Sequence, residues 1–410
     1  MNKKKIFNDP VYGFITIPND LIFDIIEHPW FQRLRRIRQL GLTDFIYPGA
    51  LHTRFHHALG AMHLMGLTLD TLRSKGYEIS DKEVEAAKIA ILLHDIGHGP
   101  FSHVLESTLL VNTPHEKLSL LILSELNKKF NGALDLAEKI FQNKYKRKFL
   151  HQLVSSQLDI DRLDYLQRDC FFTGVSEGTI GADRLIKMLE IHDDQLVVEE
   201  KGIYSIENFL TARRLMYWQV YLHKTTVSAE KMMIQTIRRA KYLTQAGQKL
   251  NASEPLSVFL THSVTLSDFS AKSEFLEAFL NLDDFDIWAA IKSWAGYPDK
   301  VLSYLSRCLL DRRLFKIRVS SEKFDKEEIE KIKNSIKKNN VLNSQDLSFL
   351  VVHGTLVNSA YFTAGDQINI RMKNGKVIDV AKASDLPNIK AISKIVKKHY
   401  LCWPKSLYLC

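Results

Sequence analysis

His94-Asp95 closes the apolar run Ala90–Leu93 and is followed by Ile96-Gly97-His98-Gly99-Pro100-Phe101-Ser102-His103. Three histidines and one carboxylate within ten residues, broken by two glycines and a proline, is not the composition of a core. Imidazole nitrogens and carboxylate oxygens are ligands for divalent metals. The glycines let the backbone turn sharply, so side chains at a helix end can converge. The same dipeptide recurs at His192-Asp193, beside Asp194 and Gln195, in a polar stretch that reads as a turn. The first doublet ends a buried helix, and the second is expected to be a solvated surface pair.

A metal site on helices needs further ligands. In Arg54-Phe55-His56-His57, Arg54 and His57 lie three apart and share a helical face. Asp161, Tyr165 and Asp169, spaced by four, form a stripe within a segment that also holds Asp159, Arg162, Asp164 and Arg168. That stripe could face a phosphate-bearing pocket. Charge alone favours a salt-bridged exposed helix, and His57 in isolation favours a capped or core histidine.

The elements that would position these residues are mostly helical. Helices are expected over 18–41, split at Pro29, over 54–75, ending at Gly76, and over 81–95. Residues 100–110, 115–130, 133–141 and 156–170 also read as helix. A hairpin is expected at 195–204, turning at Lys201-Gly202, then a long helix over about 205–224 and further helices over 226–310. Beyond that the pattern changes. Leu347–Val352 is β-like, and Asn374-Gly375 between alternating runs at 367–372 and 377–380 signals a hairpin. A basic helix is expected near 388–399. The fold class is mainly α, with a helical domain over 1–240 and a smaller mixed α/β region over 241–410, assigned to oligomerisation or regulation.

The chain's 410 residues, 45% hydrophobic and 25% charged, suffice for a large core. No apolar run approaches the roughly 20 residues of a membrane span. The N-terminal Met1-Asn2-Lys3-Lys4-Lys5 has no apolar signal region. Cys170, Cys308, Cys402 and Cys410 are scattered without a CxxC, which suits a reducing cytoplasm. The expectation is a cytoplasmic protein without membrane association. A net charge of +9 favours anionic partners, nucleotides or nucleic acid, although ordinary solubility charge explains it equally well.

Taken in order, the motifs resemble the HD-domain deoxynucleoside triphosphate triphosphohydrolases, including the animal proteins that join a sterile-alpha-motif domain to an HD domain. The resemblance runs from Lys5–Gly13 through Phe31–Arg35, Gln39–Gly41, Tyr47–Ala50, Arg54–Gly60, His94–His103 and Asp159–Cys170 to Tyr221–Thr225. It covers about residues 5–230 and is faint beyond 240. It implies an HD-domain helical core and hydrolysis of a dNTP at the α-phosphorus, releasing nucleoside and intact triphosphate.

By position, the resemblance implies metal ligands at His57, His94, Asp95 and Asp161. Two histidines and two carboxylates suit Mg, Mn, Fe or Zn without choosing among them. Arg54 and Arg162 fall on phosphate contacts, Arg162 replacing a lysine of the animal proteins. His103 falls on the group that protonates the leaving 5′-oxygen. Glu106, where the animal proteins carry aspartate, would orient His103 and raise its pKa. His98 and His115 match pocket histidines expected to contact phosphate or hold water; a simple helix-cap role is the alternative for His115. Gln39 and Leu40 match residues lining the deoxyribose. Tyr165 matches a ring that excludes a 2′-hydroxyl, Asp169 a carboxylate binding the 3′-hydroxyl, and Tyr221 a tyrosine beside the sugar.

A regulatory nucleotide site at a subunit interface is implied at Glu27, Gln32 and Arg35, with Glu27 longer than the family's aspartate. The alternative is a basic helix face. A homo-oligomer, dimer or tetramer, is expected. The basic residues Lys390, Lys394, Lys397 and Lys398 could serve an activator, a nucleic acid or neither. Two rival functions remain: an HD phosphohydrolase of another nucleotide, and a non-catalytic nucleotide sensor or nucleic-acid-binding protein.

Overall fold

The chain enters through a hairpin, β1 (Ile6–Asp9) antiparallel to β2 (Gly13–Thr16). The computed structural model describes residues 5–338, 342–358, 361, 367–385 and 396–405, without the side chains of His103, Ser107 and Lys338. Asn19 caps α1 (Asp20–Glu27), its side chain accepting from Ile22 N. The helix expected over 18–41 is broken sooner than expected. His28, forced to extended geometry by the following proline, ends α1 and caps the single turn α2 (Pro29–Gln32). The chain then continues as short 3₁₀ turns at Arg33–Arg36 and Thr43–Phe45.

The long helix α3 (Arg54–Ser74) is apolar on nearly all sides and is buried along most of its length. It packs between α4 (Asp81–Leu93), opened by a Ser80/Glu83 capping box, and α9 (Ile160–Thr173), capped by Asp159. Between them come α5 (His103–Leu109), β3 (Leu110–Val111), α6 (His115–Lys129), α7 (Asp135–Phe141) and α8 (Lys148–Val154). His94-Asp95 therefore sits at the end of α4, as expected. The turn after it needs a glycine at 97, where a Cβ would lie 2.3 Å from Ser119 N and 2.4 Å from His115 O on α6.

After α10 (Ala182–Met188) the hairpin comes one strand earlier than expected: β4 (Leu189–His192) pairs with β5 (Gln195–Glu199). Asp193 and Asp194 make the turn with φ of 49° and 60°, a conformation that aspartate tolerates better than most residues. His192-Asp193 is thus the surface pair expected. Gly202 instead ends a 3₁₀ turn that leads into α11 (Ile203–Met216). The long helix expected to 224 is interrupted by a π-helical turn at Tyr217–Tyr221, and His223 caps α12 (Lys224–Gln245).

The helical stretch continues as α13 (Glu254–Thr261), β6 (Val264–Thr265), α14 (Leu266–Ala271), α15 (Ser273–Asn281), α16 (Asp284–Trp294) and α17 (Lys300–Leu310). Then follow β7 (Lys316–Ser320), α18 (Lys326–Lys338), α19 (Ser344–Leu350), β8 (Val352–Asn358), β9 (Asn369–Arg371), β10 (Val377–Asp379), α20 (Val380–Ala383) and β11 (Val396–Trp403).

Leu347–Leu350 is helix, not strand, because Asn343 and Asp346 form a capping box; the strand starts at Val352. The expected hairpin at Asn374-Gly375 is present, with Gly375 at φ 83°, and β9 adds in parallel to β5. Of the expected helix at 388–399, residues up to 395, with Lys390 and Lys394, lie outside the described residues. Residues 396–399, with Lys397 and Lys398, belong to β11, the central strand between β7 and β8. Its Val396, Tyr400 and Trp403 suit a strand. The fold is mainly α, and among the described residues no helix is long and apolar enough to cross a membrane.

Candidate metal centre and substrate cavity

α3, α4 and α9 each bring a ligand-type side chain to one point. His57 Nε2 lies 3.3 Å from His94 Nε2, 3.1 Å from Asp161 Oδ1 and 3.6 Å from Asp95 Oδ2. His94 Nε2 lies 3.3 Å from Asp95 Oδ1 and 3.4 Å from Asp161 Oδ1. Donor atoms each about 2.0–2.2 Å from one cation stand about 3–3.6 Å from each other, so His57, His94 and Asp161 fit a single divalent metal. Asp95 lies beside this trio, turning Oδ2 to His57 and Oδ1 to His94, and also groups with His98 and His115.

The far side of each ring supports the same reading. His57 Nδ1 lies 2.7 Å from Asp164 Oδ2, and His94 Nδ1 lies 2.6 Å from Ile91 O. An Nδ1–H donated outward leaves each Nε2 lone pair facing the centre. Asp164 is held by Arg168 at 3.0 Å, and Arg168 reaches Asp9 at 2.8 Å. All four of these groups are buried. The pairing needs Gly60 on α3, where a Cβ would stand 2.1 Å from both Arg168 Nη2 and Asp164 Oδ1.

The electrostatics follow from this crowding. Burial alone would lower the His57 pKa, but hydrogen bonds to Asp161 and Asp164 push it up to about 10 in the absence of a cation. Burial would raise Asp95, yet Arg54 and the neighbouring histidines hold it well below the usual carboxylate range. Asp161 is lowered in the same way by His57 and His94. Burial, with the Arg54 charge beside it, holds His98 well below its ordinary value.

A cavity of about 490 Å³ opens onto this cluster. Of the residues singled out in the sequence, Gln39, Leu40, Arg54, Asp95, His98, His115, Asp161, Arg162, Tyr165, Asp169 and Tyr221 line it. Arg54 bonds Asp95 through Nη1 and donates from Nε to Ser102 Oγ at 2.8 Å. Ser102 and Phe101 both have left-handed φ, 51° and 53°, held in part by Phe101 N donating to Asp284 Oδ1 at 2.8 Å. Arg162 is anchored to Asp159 at 2.7 Å, while its Nε has no partner among the described residues. Asp169 accepts from Tyr221 OH at 2.8 Å and lies 2.7 Å from His52 Nε2.

His98 and His115 stack with ring centroids 3.8 Å apart, and His98 Nε2 lies 3.4 Å from Asp95. The described contacts of Glu106 go to His115, whose backbone N–H donates at 2.7 Å and whose Nδ1 lies 3.2 Å away. Glu106 therefore caps α6 and holds His115. The side chain of His103, the expected partner of Glu106, lies outside the described residues. Glu27, Gln32 and Arg35 do not line the cavity. Arg35 donates to Gln32 Oε1 at 2.8 Å and lies over the Phe55 ring at 3.6 Å, with Glu27 exposed nearby.

Sequence reasoning assigned no role to Asp9, His52, Asp164, Arg168, Arg213 or Glu230. The i,i+4 spacing of Asp164 and Arg168 was a visible signal of a pair. Arg213 offered none: it is buried beside Tyr165, and its Nε and Nη1 have no hydrogen-bond partner among the described residues.

A family model described as HD domain matches residues 54–169, and one described as HD associated region matches 180–253. The uncharacterized protein YwfO of Bacillus subtilis is 36% identical over 323 residues, 77% of this chain and 72% of that protein. A SAMHD1 homolog of Dictyostelium discoideum, named a deoxynucleoside triphosphate triphosphohydrolase, is 33% identical over 271 residues, 62% of this chain. The chain spans about half the length of that relative, 51%. The crystal structure of a phosphohydrolase from Bacteroides thetaiotaomicron matches with a TM-score of 0.94 and 51% identity, covering 98% of this chain and 100% of that one. The metal-competent cluster falls inside the matched HD segment, and the chain belongs to the HD-domain phosphohydrolase family, among its dNTPase-like members.

Proposed function

We propose that the protein is a divalent-metal-dependent dNTP triphosphohydrolase that cleaves at the α-phosphorus, yielding deoxynucleoside and triphosphate. The observation that carries this reading is the convergence of His57, His94 and Asp161, with Asp95 beside the two histidines, at one cavity that also exposes two arginines and a Tyr/Asp pair. The SAMHD1-named relatives support the same substrate class.

A cation held by the four ligands would polarise the α-phosphate and acidify a bound water. Arg54 and Arg162 offset triphosphate charge. Tyr165, on the same face of α9 as Asp161 and Asp169, occludes the space a ribose 2′-hydroxyl would need, and Asp169 retains lone pairs for a 3′-hydroxyl. His98, held neutral, offers a hydrogen bond beside Asp95. His103, by its place at the start of α5, is assigned the proton for the departing 5′-oxygen.

We extend the reading to regulation: Glu27, Gln32 and Arg35 form a surface cluster assigned to a nucleotide activator on a homo-oligomer. Its support is the Gln32–Arg35 hydrogen bond and the arginine stacked on Phe55. The test is incubation of the purified protein with each dNTP singly and with all four together, with Mg²⁺, Mn²⁺ or EDTA, followed by product separation. Nucleoside and triphosphate formed only with metal support the reaction, and activity only in the mixture supports an activator. Monophosphate, diphosphate or no product overturns the reading.

A further inference from the structure

Glu230 lies on α12 and lines the same cavity as Arg54, Arg162, Tyr165 and Asp169. The proposed hydrolysis does not use it. Among the described residues its carboxylate makes no hydrogen bond or ion pair; the charge noted beside it is its sequence neighbour Lys231. A half-buried carboxylate without a partner is unfavourable, and a ligand that donates to it removes that penalty. Burial pushes its carboxyl up to about 7, consistent with a site that lacks donors of its own.

The cavity has an electrostatic direction. Its metal-competent cluster, Arg54 and Arg162 attract a triphosphate, while Glu230 repels one. The sugar wall ends at Tyr221, and the chain runs directly from there through Leu222 into α12. Leu222, Thr43, Val104 and Glu230 are among the lining residues that the phosphate and sugar roles leave unassigned. Of the other unassigned lining residues, Glu116 is engaged by His115 at 3.5 Å. Apolar side chains, the Thr43 hydroxyl and the Glu230 carboxylate suit a flat heteroaromatic ring with N–H groups.

We propose that Glu230 is a specificity-determining residue that reads the nucleobase, its two oxygens accepting the adjacent N1–H and N2–H of guanine, so that dGTP is the preferred dNTP. This rests on the dNTP reading of the cavity given above. Guanine is the base with two neighbouring donors on its pairing edge. Adenine and cytosine set a donor beside an acceptor, and thymine flanks its single N–H with two carbonyls. Ionised, Glu230 is an acceptor only: it pairs fully with guanine, whose two donors favour that form, and meets lone pairs on the other three, so the selectivity holds at pH above the Glu230 value of about 7.

The test is equilibrium binding of dGTP, dITP, dATP, dCTP and dTTP to the full-length protein in EDTA, so that binding is read without turnover. Wild type is expected to bind dGTP about 10-fold or more tighter than dTTP, and tighter than dITP, which lacks the 2-amino group. Glu230→Gln, nearly the same size, is expected to lose most of that preference while dTTP binding stays within about 3-fold. Equal binding of all bases by wild type, or an equal loss for every base in Glu230→Gln, overturns the proposal. The dITP comparison needs no variant and so does not depend on the substitution folding. Base-selective binding without hydrolysis keeps the Glu230 assignment and rejects the hydrolase; hydrolysis without base selectivity does the reverse.

Discussion

Asp164 Oδ2 stands 2.7 Å from His57 Nδ1 and 3.0 Å from Arg168 Nε, so one buried carboxylate ties a candidate metal ligand to a buried cation. The ring of His57 is oriented from behind, and its Nε2 is committed to the centre. Asp164→Ala is expected to weaken metal binding by about 10- to 100-fold. It also leaves Arg168 with Asp9 alone, and stability should fall by about 3 kcal/mol. Asp164→Asn keeps an acceptor oxygen and should recover part of the metal affinity. Metal titration alongside chemical denaturation separates the two effects; unchanged affinity in a folded Asp164→Ala protein would show that His57 is not a ligand.

Without a cation His57 is protonated up to about pH 10, because Asp161 and Asp164 outweigh its burial. A metal needs the neutral imidazole, so binding must displace that proton. The sign follows: below about pH 10 each unit of rising pH should strengthen apparent metal affinity by about tenfold for this one proton. Calorimetry of Mn²⁺ binding at pH 7.5 in buffers of different ionisation enthalpy should reveal about one or more protons released. Buffer-independent heats would place the metal elsewhere.

Tyr221 OH donates to Asp169 Oδ2 at 2.8 Å, while Asp169 Oδ1 lies 2.7 Å from His52. Tyr221→Phe removes one of the two contacts that hold Asp169, the carboxylate proposed to bind the sugar. Stability should fall by about 1–2 kcal/mol, and the KM for dNTP should rise by about 3- to 10-fold with kcat little changed. A drop in kcat at constant KM would assign Tyr221 to the chemical step instead.

Gly97 packs its α-carbon against the backbone of α6, where neither Ser119 N nor His115 O can yield as a flexible side chain would. Gly97→Ala should push α4's end away from α6 and disturb the His98–His115 stack. The expected loss is about 1–3 kcal/mol, together with reduced metal binding because Asp95 lies two residues away. Thermal unfolding with and without Mn²⁺ reads both; a variant as stable as wild type would contradict the close approach.

Helices α3, α4 and α9 were legible because their apolar spacing and caps are local, and the cluster they carry was legible because HD-type motifs fall at their ends. The hairpin was misplaced because Lys201-Gly202 looks like its turn, while the stretch at Asp193-Asp194, read as a polar turn, carries no Asn-Gly-type signal of a hairpin. Leu347–Leu350 was misread because four apolar-rich residues fit either period, and its Asn343/Asp346 cap decided for helix. Glu106 shows a contact that sequence position did not supply, with His115, nine residues on and across a turn; its expected pairing with His103 falls outside the described residues. Arg213 and Glu230 were invisible because nothing local marks a charged side chain whose polar atoms go unpartnered among the described residues.

The central claim is attack of water at the α-phosphorus. The direct measurement is turnover of a dNTP in ¹⁸O-labelled water with Mn²⁺, with products read by ³¹P resonance shifts and mass. Attack at that atom yields unlabelled deoxynucleoside and inorganic triphosphate carrying one ¹⁸O. Labelled orthophosphate or pyrophosphate, or formation of a deoxynucleoside mono- or diphosphate, would place the attack elsewhere and contradict it.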